Sequence, residues 1–104
     1  MWTEQAGYAL DLSIGQNGDA WKIDPSDSFP YKFESSSWVN KGSIKSSKIE
    51  VGPTDVWIVD SENKVYRYSD STWVEVPDEL ATDIAMCPDG SGYLISTDKT
   101  ISYT

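Results

Sequence analysis

Tryptophan recurs in this chain at a near-constant interval, and that interval restricts the fold more than any other feature. Trp2, Trp38 and Trp73 stand 36 and 35 residues apart, and a second aromatic series, Trp21, Trp57 and Tyr93, repeats at 36 and 36. Other stretches keep the register: "DLSIG" at 11–15, "KIEVG" at 48–52 and "DIAMC" at 83–87 precede the second aromatic, and "YKF" at 31–33, "YRY" at 66–68 and "ISY" at 101–103 follow it. Repetition at about 20–50 residues is characteristic of arrays in which each unit buries its apolar face against the next.

Within a unit the pattern is that of short strands. Val56 and Ile58, then Val65, Tyr66 and Tyr68, alternate around the polar turn Asp60-Ser61-Glu62-Asn63. Gln16-Asn17-Gly18, Pro53-Thr54-Asp55 and Pro88-Asp89-Gly90 supply turn chemistry at matching places. No segment holds apolar residues at helical spacing for three turns, so the chain is expected to be all-β. Four strands per unit, one of them led by Trp, predict a β-propeller with three four-stranded blades. A β-solenoid is the alternative, but its coils are shorter and lack these hairpin turns. All 104 residues form a single domain in this reading, with units at approximately 2–37, 38–72 and 73–104.

Three blades do not close a ring when propellers use about four to eight. Two apolar blade faces would stay bare, which a monomer rarely tolerates. The simplest remedy is a homodimer, in which two chains complete six blades about a two-fold axis; a nine-bladed trimer is less favoured geometrically, and a fragment cut from a longer six-bladed chain stays open. Trp38 and Trp73 then finish the blade whose first three strands precede them, while the Trp2 strand and the Ile101–Tyr103 strand are each completed by the partner. Trp2, Trp21, Trp38, Trp57, Trp73, Tyr66 and Tyr93 are accordingly assigned structural roles in blade cores and interfaces.

The stretches "KIEVGPTDVWIVDSENKVYRYSDSTW" and "WVEVPDELATDIAMCPDGSGYLISTDKTISY" resemble the tectonin repeat, in which a Trp, a "VP"-like strand, an "I-x-V-G" strand, a "V-W-x-V" strand and an "I/V-Y" strand close on the next Trp. The resemblance covers essentially the whole chain in three copies; the third has Cys87 where Gly is usual and Tyr93 where Trp is usual, and the first carries "PSDSFP" before Tyr31. It implies a six-bladed propeller. It also implies, less firmly, a lectin for methylated or amino sugars or bacterial surface glycans, since other tectonin repeats serve as protein-interaction scaffolds.

Composition removes several functions. A net charge of -9, from 17 acidic and 8 basic residues, repels nucleic acid and anionic lipid. With no His and one Cys there is neither a disulfide nor a zinc site within the chain, and no cofactor or metal is expected. Asp24, Asp27, Asp60 and Glu62 lack the spacing of the calcium loop. No membrane-spanning run or signal peptide is recognisable, so the expected location is cytoplasmic, or outside the cell without a conventional leader. Catalysis is not expected. Phosphate loop, nucleophile elbow and His are absent, and the pairs Asp83 with Asp89 and Glu75 with Glu79 are no more than a chain of 17 acids would offer. A buried, inert thiol is the expected state of Cys87.

Binding function on propellers sits on loops at a rim. Two loop sets should share one: 40–47 and 77–82 after the Trp strands, and 24–30, 60–64 and 96–99 between later strands. Their short polar groups beside a hydrophobic shelf suit hydroxyl and N-acetyl recognition, although solvated turns have the same composition. The candidate ligand residues are Asn40, Lys41, Ser46, Asp60, Glu62, Asn63, Lys64, Thr82 and Asp98, with glycans and a second copy of the chain as the expected partners.

Overall fold

The computed structural model describes residues 7–103, and in it the chain is all β. Ten strands follow in order: β1 (Asp11–Ile14), β2 (Ala20–Ile23), β3 (Pro30–Glu34), β4 (Ser37–Asn40), β5 (Ser46–Val51), β6 (Val56–Asp60), β7 (Lys64–Ser69), β8 (Thr72–Met86), β9 (Gly92–Ser96) and β10 (Ile101–Tyr103). One antiparallel sheet runs β1-β2-β3-β4, the other β10-β9-β8-β7-β6-β5. Trp2 lies outside the described residues.

The strands group into curled blades in the permuted sense expected. Blade 1 is β1 to β4, and Trp38 on β4 pairs with Phe33 on β3, so it closes the blade that precedes it. Blade 2 is β5 to β7 with the first part of β8, where Trp73 pairs with Tyr68. Blade 3 is the second part of β8, where Asp83 pairs with Ile95, followed by β9 and β10.

The fifteen-residue β8 is the departure from the sequence reading, which had a loop at 77–82. There the strand stays paired, Leu80 with Lys64 and Ala81 with Ser96, while its register slips on both sides. Asp78 takes φ 63°, and this left-handed step lets the strand bulge and pass from blade 2 to blade 3 without leaving the sheet. Between blades 1 and 2 the chain does leave the sheet, over residues 41–45.

The outer hairpins turn tightly for a local reason. Ser35 and Ser36 join β3 to β4 with φ 49° and 70°, and Asp70 and Ser71 join β7 to β8 with 50° and 66°. Positive φ at both central positions is the two-residue turn whose twist matches the flanking strands.

Two apolar clusters hold the arc together, one per blade junction. Trp21 and Ile23 of blade 1 pack on Ile49, Val56 and Ile58 of blade 2, with Tyr66, Tyr68 and Trp73 around them. Val59 and Val65 of blade 2 pack with Ala81 and Ile84 of blade 3, with Trp57, Val76 and Leu94 around them. Full burial of side chains such as Ile58 and Val65 is worth about 1.5–3 kcal/mol each. Tyr93, at the corresponding position of blade 3, is exposed on the outer face of that blade in the single chain.

Candidate functional site

The two loop sets do meet at one rim, held by a backbone bond that recurs with the repeat. Ser46 N–H donates to Ser28 O at 2.8 Å, and 35 residues on Ala81 N–H donates to Asn63 O at 2.8 Å. Each bond ties a blade's middle loop to the start of the next blade. The acceptor residues sit in the left-handed region, Ser28 at φ 65° and Asn63 at 68°, and Lys99 has 73° at the corresponding place in blade 3. Ser61 N–H adds a bond to Lys45 O at 3.0 Å. These loops are therefore fixed by main chain, with side chains left over.

The candidate residues divide by what their side chains already hold. Ser46 and Asp60 are buried: the Ser46 hydroxyl donates to Ile44 O at 2.9 Å, and Asp60 Oδ1 accepts from the amides of Glu62 and Lys64 at 2.9 and 2.8 Å. These two side chains are engaged in building the loops; a strand-end Asp before a tight turn is in effect an Asx cap. Asn40 accepts from Gly42 N–H at 2.9 Å, and Lys41 Nζ lies 3.1 Å from Glu34. Thr82 donates to Ile95 O at 3.3 Å, and Asp98 Oδ1 accepts from Thr100 N–H and Oγ1–H at 3.0 and 2.7 Å. Those Thr100 bonds hold the Asp98 carboxyl below the usual carboxylate range. Glu62 is exposed, with Asn63 and Lys64 half-buried beside it, and Asn40, Thr82 and Asp98 are exposed as well.

Beside the rim, blade 1 contains a group that sequence reasoning passed over. Lys22 is buried; its Nζ donates to Tyr8 O at 2.8 Å, lies 3.1 Å from Asp24 and sits 4.8 Å from the centre of the Trp38 ring. The signal was present in the repeat, because Lys22 occupies the place of Ile58 and Leu94. Hydrogen bonds from Ser26 side chain and backbone, then Lys22, pull the Asp24 carboxyl down to about 2 against the opposing effect of burial. Tyr31 donates its hydroxyl to Asp27 at 2.6 Å, and that bond raises the phenol.

Concave surface occurs at the opposite rim. A cleft of about 230 Å³ opens between the β1–β2 and β5–β6 loops, with Asn17, Asp19, Lys32 and Asp55 around a floor of Trp21 and Tyr68. Lys32 Nζ lies 3.6 Å from Asp19 and 5.9 Å from the centre of the Trp21 ring. Among the described residues no group of three or more His, Cys, Asp or Glu is arranged to hold a metal ion.

A family model described as Tectonin domain matches residues 8–98. No curated protein matches. Among solved structures the chain is similar to a β-propeller described as YCF48 bound to D1 peptide, with a TM-score of 0.72 and 15% identity. The match covers 98% of this chain and 38% of that one, and at this identity it speaks to fold.

Proposed function

The chain belongs to the tectonin domain family, and from that premise we propose that it binds glycans through the polar rim loops of a propeller completed by a second copy. One observation carries this reading: the same 2.8 Å backbone bond, 35 residues apart, holds the rim loops of both blade junctions in one geometry. Equivalent loops then meet repeated sugars in equivalent poses, and linkage multiplies weak single-site binding by about 10²–10⁴. Two three-bladed chains make six blades, so four internal and two interchain junctions each offer a rim site. Glu62, Asn63 and Lys64 are the contacts assigned to sugar hydroxyls and N-acetyl groups.

Glycan-array binding by the labelled chain tests the proposal. Signal on a defined set of bacterial, fungal or animal glycans, reduced by Lys64→Ala, supports it. An array without signal overturns it.

A second reading has support of its own, because the YCF48 structure holds a peptide. In that reading the propeller is a protein-interaction scaffold, and retention of a defined peptide with a silent glycan array favours it.

A further inference from the structure

Corresponding positions in the three blades occur in two states. Trp21 and Ile23, which turn towards the next blade, are 4% and 0% exposed, whereas their counterparts on blade 3, Tyr93 and Ile95, are 46% and 41% exposed. On the facing side, Ile49 of blade 2 is 2% exposed and its counterpart Leu12 of blade 1 is 56% exposed. Blade 3 thus carries a bare apolar face hollowed by a groove of about 390 Å³, and blade 1 carries the bare face of opposite type. The two internal junctions bury the first kind against the second.

Polar groups follow the same division. Innermost strands of adjacent blades do not pair with each other, and their edge amides are taken by side chains of the blade before. Asp11 accepts from its own Leu12 N–H through Oδ1 and from Ile49 N–H across the junction through Oδ2, both at 3.0 Å. Ser13 Oγ accepts from Val51 N–H at 3.0 Å. At the second junction Lys48 stands in the place of Asp11 and cannot accept, and Glu50 takes Met86 N–H instead.

Asp83 stands in the place of Asp11 on blade 3. Its Oδ1 accepts from Ile84 N–H at 2.9 Å, its Oδ2 accepts from no group among the described residues, and it borders the groove beside Tyr93 and Ile95. Lys99 O likewise stands where Ser28 O and Asn63 O accept from the following blade, and it receives no such amide among the described residues. The repeat places Ala9 of blade 1 in the position of the donors Ser46 and Ala81.

We propose that the blade 3 groove is the seat for blade 1 of a second copy of this chain, registered by hydrogen bonds from Leu12 N–H, shared between its own Asp11 Oδ1 and Asp83 Oδ2 of the other copy, and from Ala9 N–H to Lys99 O. The inference rests on the two-chain ring above and adds its register. Tyr93 then packs on Phe33 and Trp38 of the other copy as Trp21 packs on Tyr68 and Trp73, whose ring centres lie 5.4 and 6.1 Å from it. Asp11 of one copy approaches Asp83 of the other, so the clasp acts as an acceptor against a like-charge repulsion.

Sedimentation equilibrium on the full chain, with circular dichroism to verify folding, tests both levels. The wild type is expected to be a dimer, and Tyr93→Lys, or Ile101→Lys if the first does not fold, a folded monomer. Asp83→Ala should raise the dimer's Kd by about tenfold or more. Asp83→Asn, whose single oxygen can take Leu12 N–H only by giving up Ile84 N–H but which sheds the repulsion, should weaken the dimer less than Asp83→Ala, and Glu75→Gln should leave it unchanged. A monomeric wild type, or a groove-lysine variant that stays dimeric, overturns the ring itself. Dissociation by Tyr93→Lys with no weakening by Asp83→Ala overturns the clasp and leaves the ring standing.

Discussion

Trp73 donates its indole N–H to the carbonyl oxygen of Lys41 at 2.6 Å, latching the outermost strand of blade 2 to the loop that enters the blade's innermost strand. Gly42 passes beneath the ring. A Cβ built there would lie 2.7 Å from Trp73 Nε1 and 2.9 Å from Cδ1, and the residue's φ is 149°. Gly7 stands under Trp38 in the same way, and a Cβ built there would lie 3.2 Å from Trp38 Nε1. A small residue and a tryptophan therefore form one device, used at successive blades.

Gly42→Ala should lower stability by about 1–3 kcal/mol, since both the left-handed backbone and the contact with the indole oppose a side chain. Urea unfolding at fixed protein concentration measures it, the concentration being held because association contributes to apparent stability. A change under about 0.5 kcal/mol, the ordinary surface effect, would refute the latch.

Trp73 itself should be among the most costly positions. Its ring centre lies 4.8 Å from that of Tyr68 and 6.1 Å from that of Trp21, so removal opens the first junction as well as releasing Lys41. Trp73→Ala is expected to cost about 3–5 kcal/mol, a large part of the stability of a domain this size. Trp73→Phe, which keeps a ring and loses the N–H, should cost clearly less. Equal losses for both variants, read as urea midpoints, would assign the whole effect to the hydrogen bond.

The repeat was legible because its marks are large and packed. Trp21 and Trp57 recur since each internal blade junction fills the same gap, and Asp60 to Asn63 spell a turn whatever surrounds them. What escaped was set by neighbours distant in sequence. Gly15 and Gly52 are glycines because a Cβ would lie 2.8 Å from Val51 Cγ1 and 3.0 Å from Met86 Cε on the following blade, a reason no local pattern contains. Cys87 occupies the same place in blade 3, where no following blade exists within the chain. The continuous β8 escaped because Pro77 and Asp78 look like a break, and the left-handed step at Asp78 is what joins the blades. At the rim, the sequence supplied the polar residues but not their commitments: Ser46 and Asp60 are spent on the loops themselves.

Asn63 separates structural from ligand-directed roles. Its φ of 68° is tolerated by Asn and favoured by Gly, and its carbonyl oxygen accepts from Ala81 N–H whichever side chain is present. Asn63→Gly should therefore leave stability within a few tenths of a kcal/mol, whereas Asn63→Ala should cost about 1 kcal/mol. Sugar binding, if the side chain contributes to it, falls in both. Thermal and urea denaturation settle the first pair, and an Asn63→Ala variant as stable as the wild type would contradict the backbone account.

Glu50 offers a test by pH. Burial pushes its carboxyl above the ordinary 4.5; the bond from Met86 N–H opposes that shift, and Asp11 and Asp83 reinforce it. A carboxyl raised on folding favours the protonated native state, so its charge burdens the fold above the folded pKa and ceases to do so below about 4.5. Glu50→Gln keeps an oxygen for Met86 and removes the charge. The variant should therefore be more stable than the wild type at pH 7, and the margin should shrink as pH falls towards 4. Glu50→Ala, which loses the acceptor and leaves Met86 N–H without a partner at the junction, should gain less or be destabilised. Urea midpoints of the three proteins at pH 7, 5.5 and 4 decide the matter. A Glu50→Gln advantage that stays constant across that range would mean that the carboxylate is not disfavoured by folding, and a Glu50→Gln protein weaker at pH 7 would mean that its charge stabilises the junction.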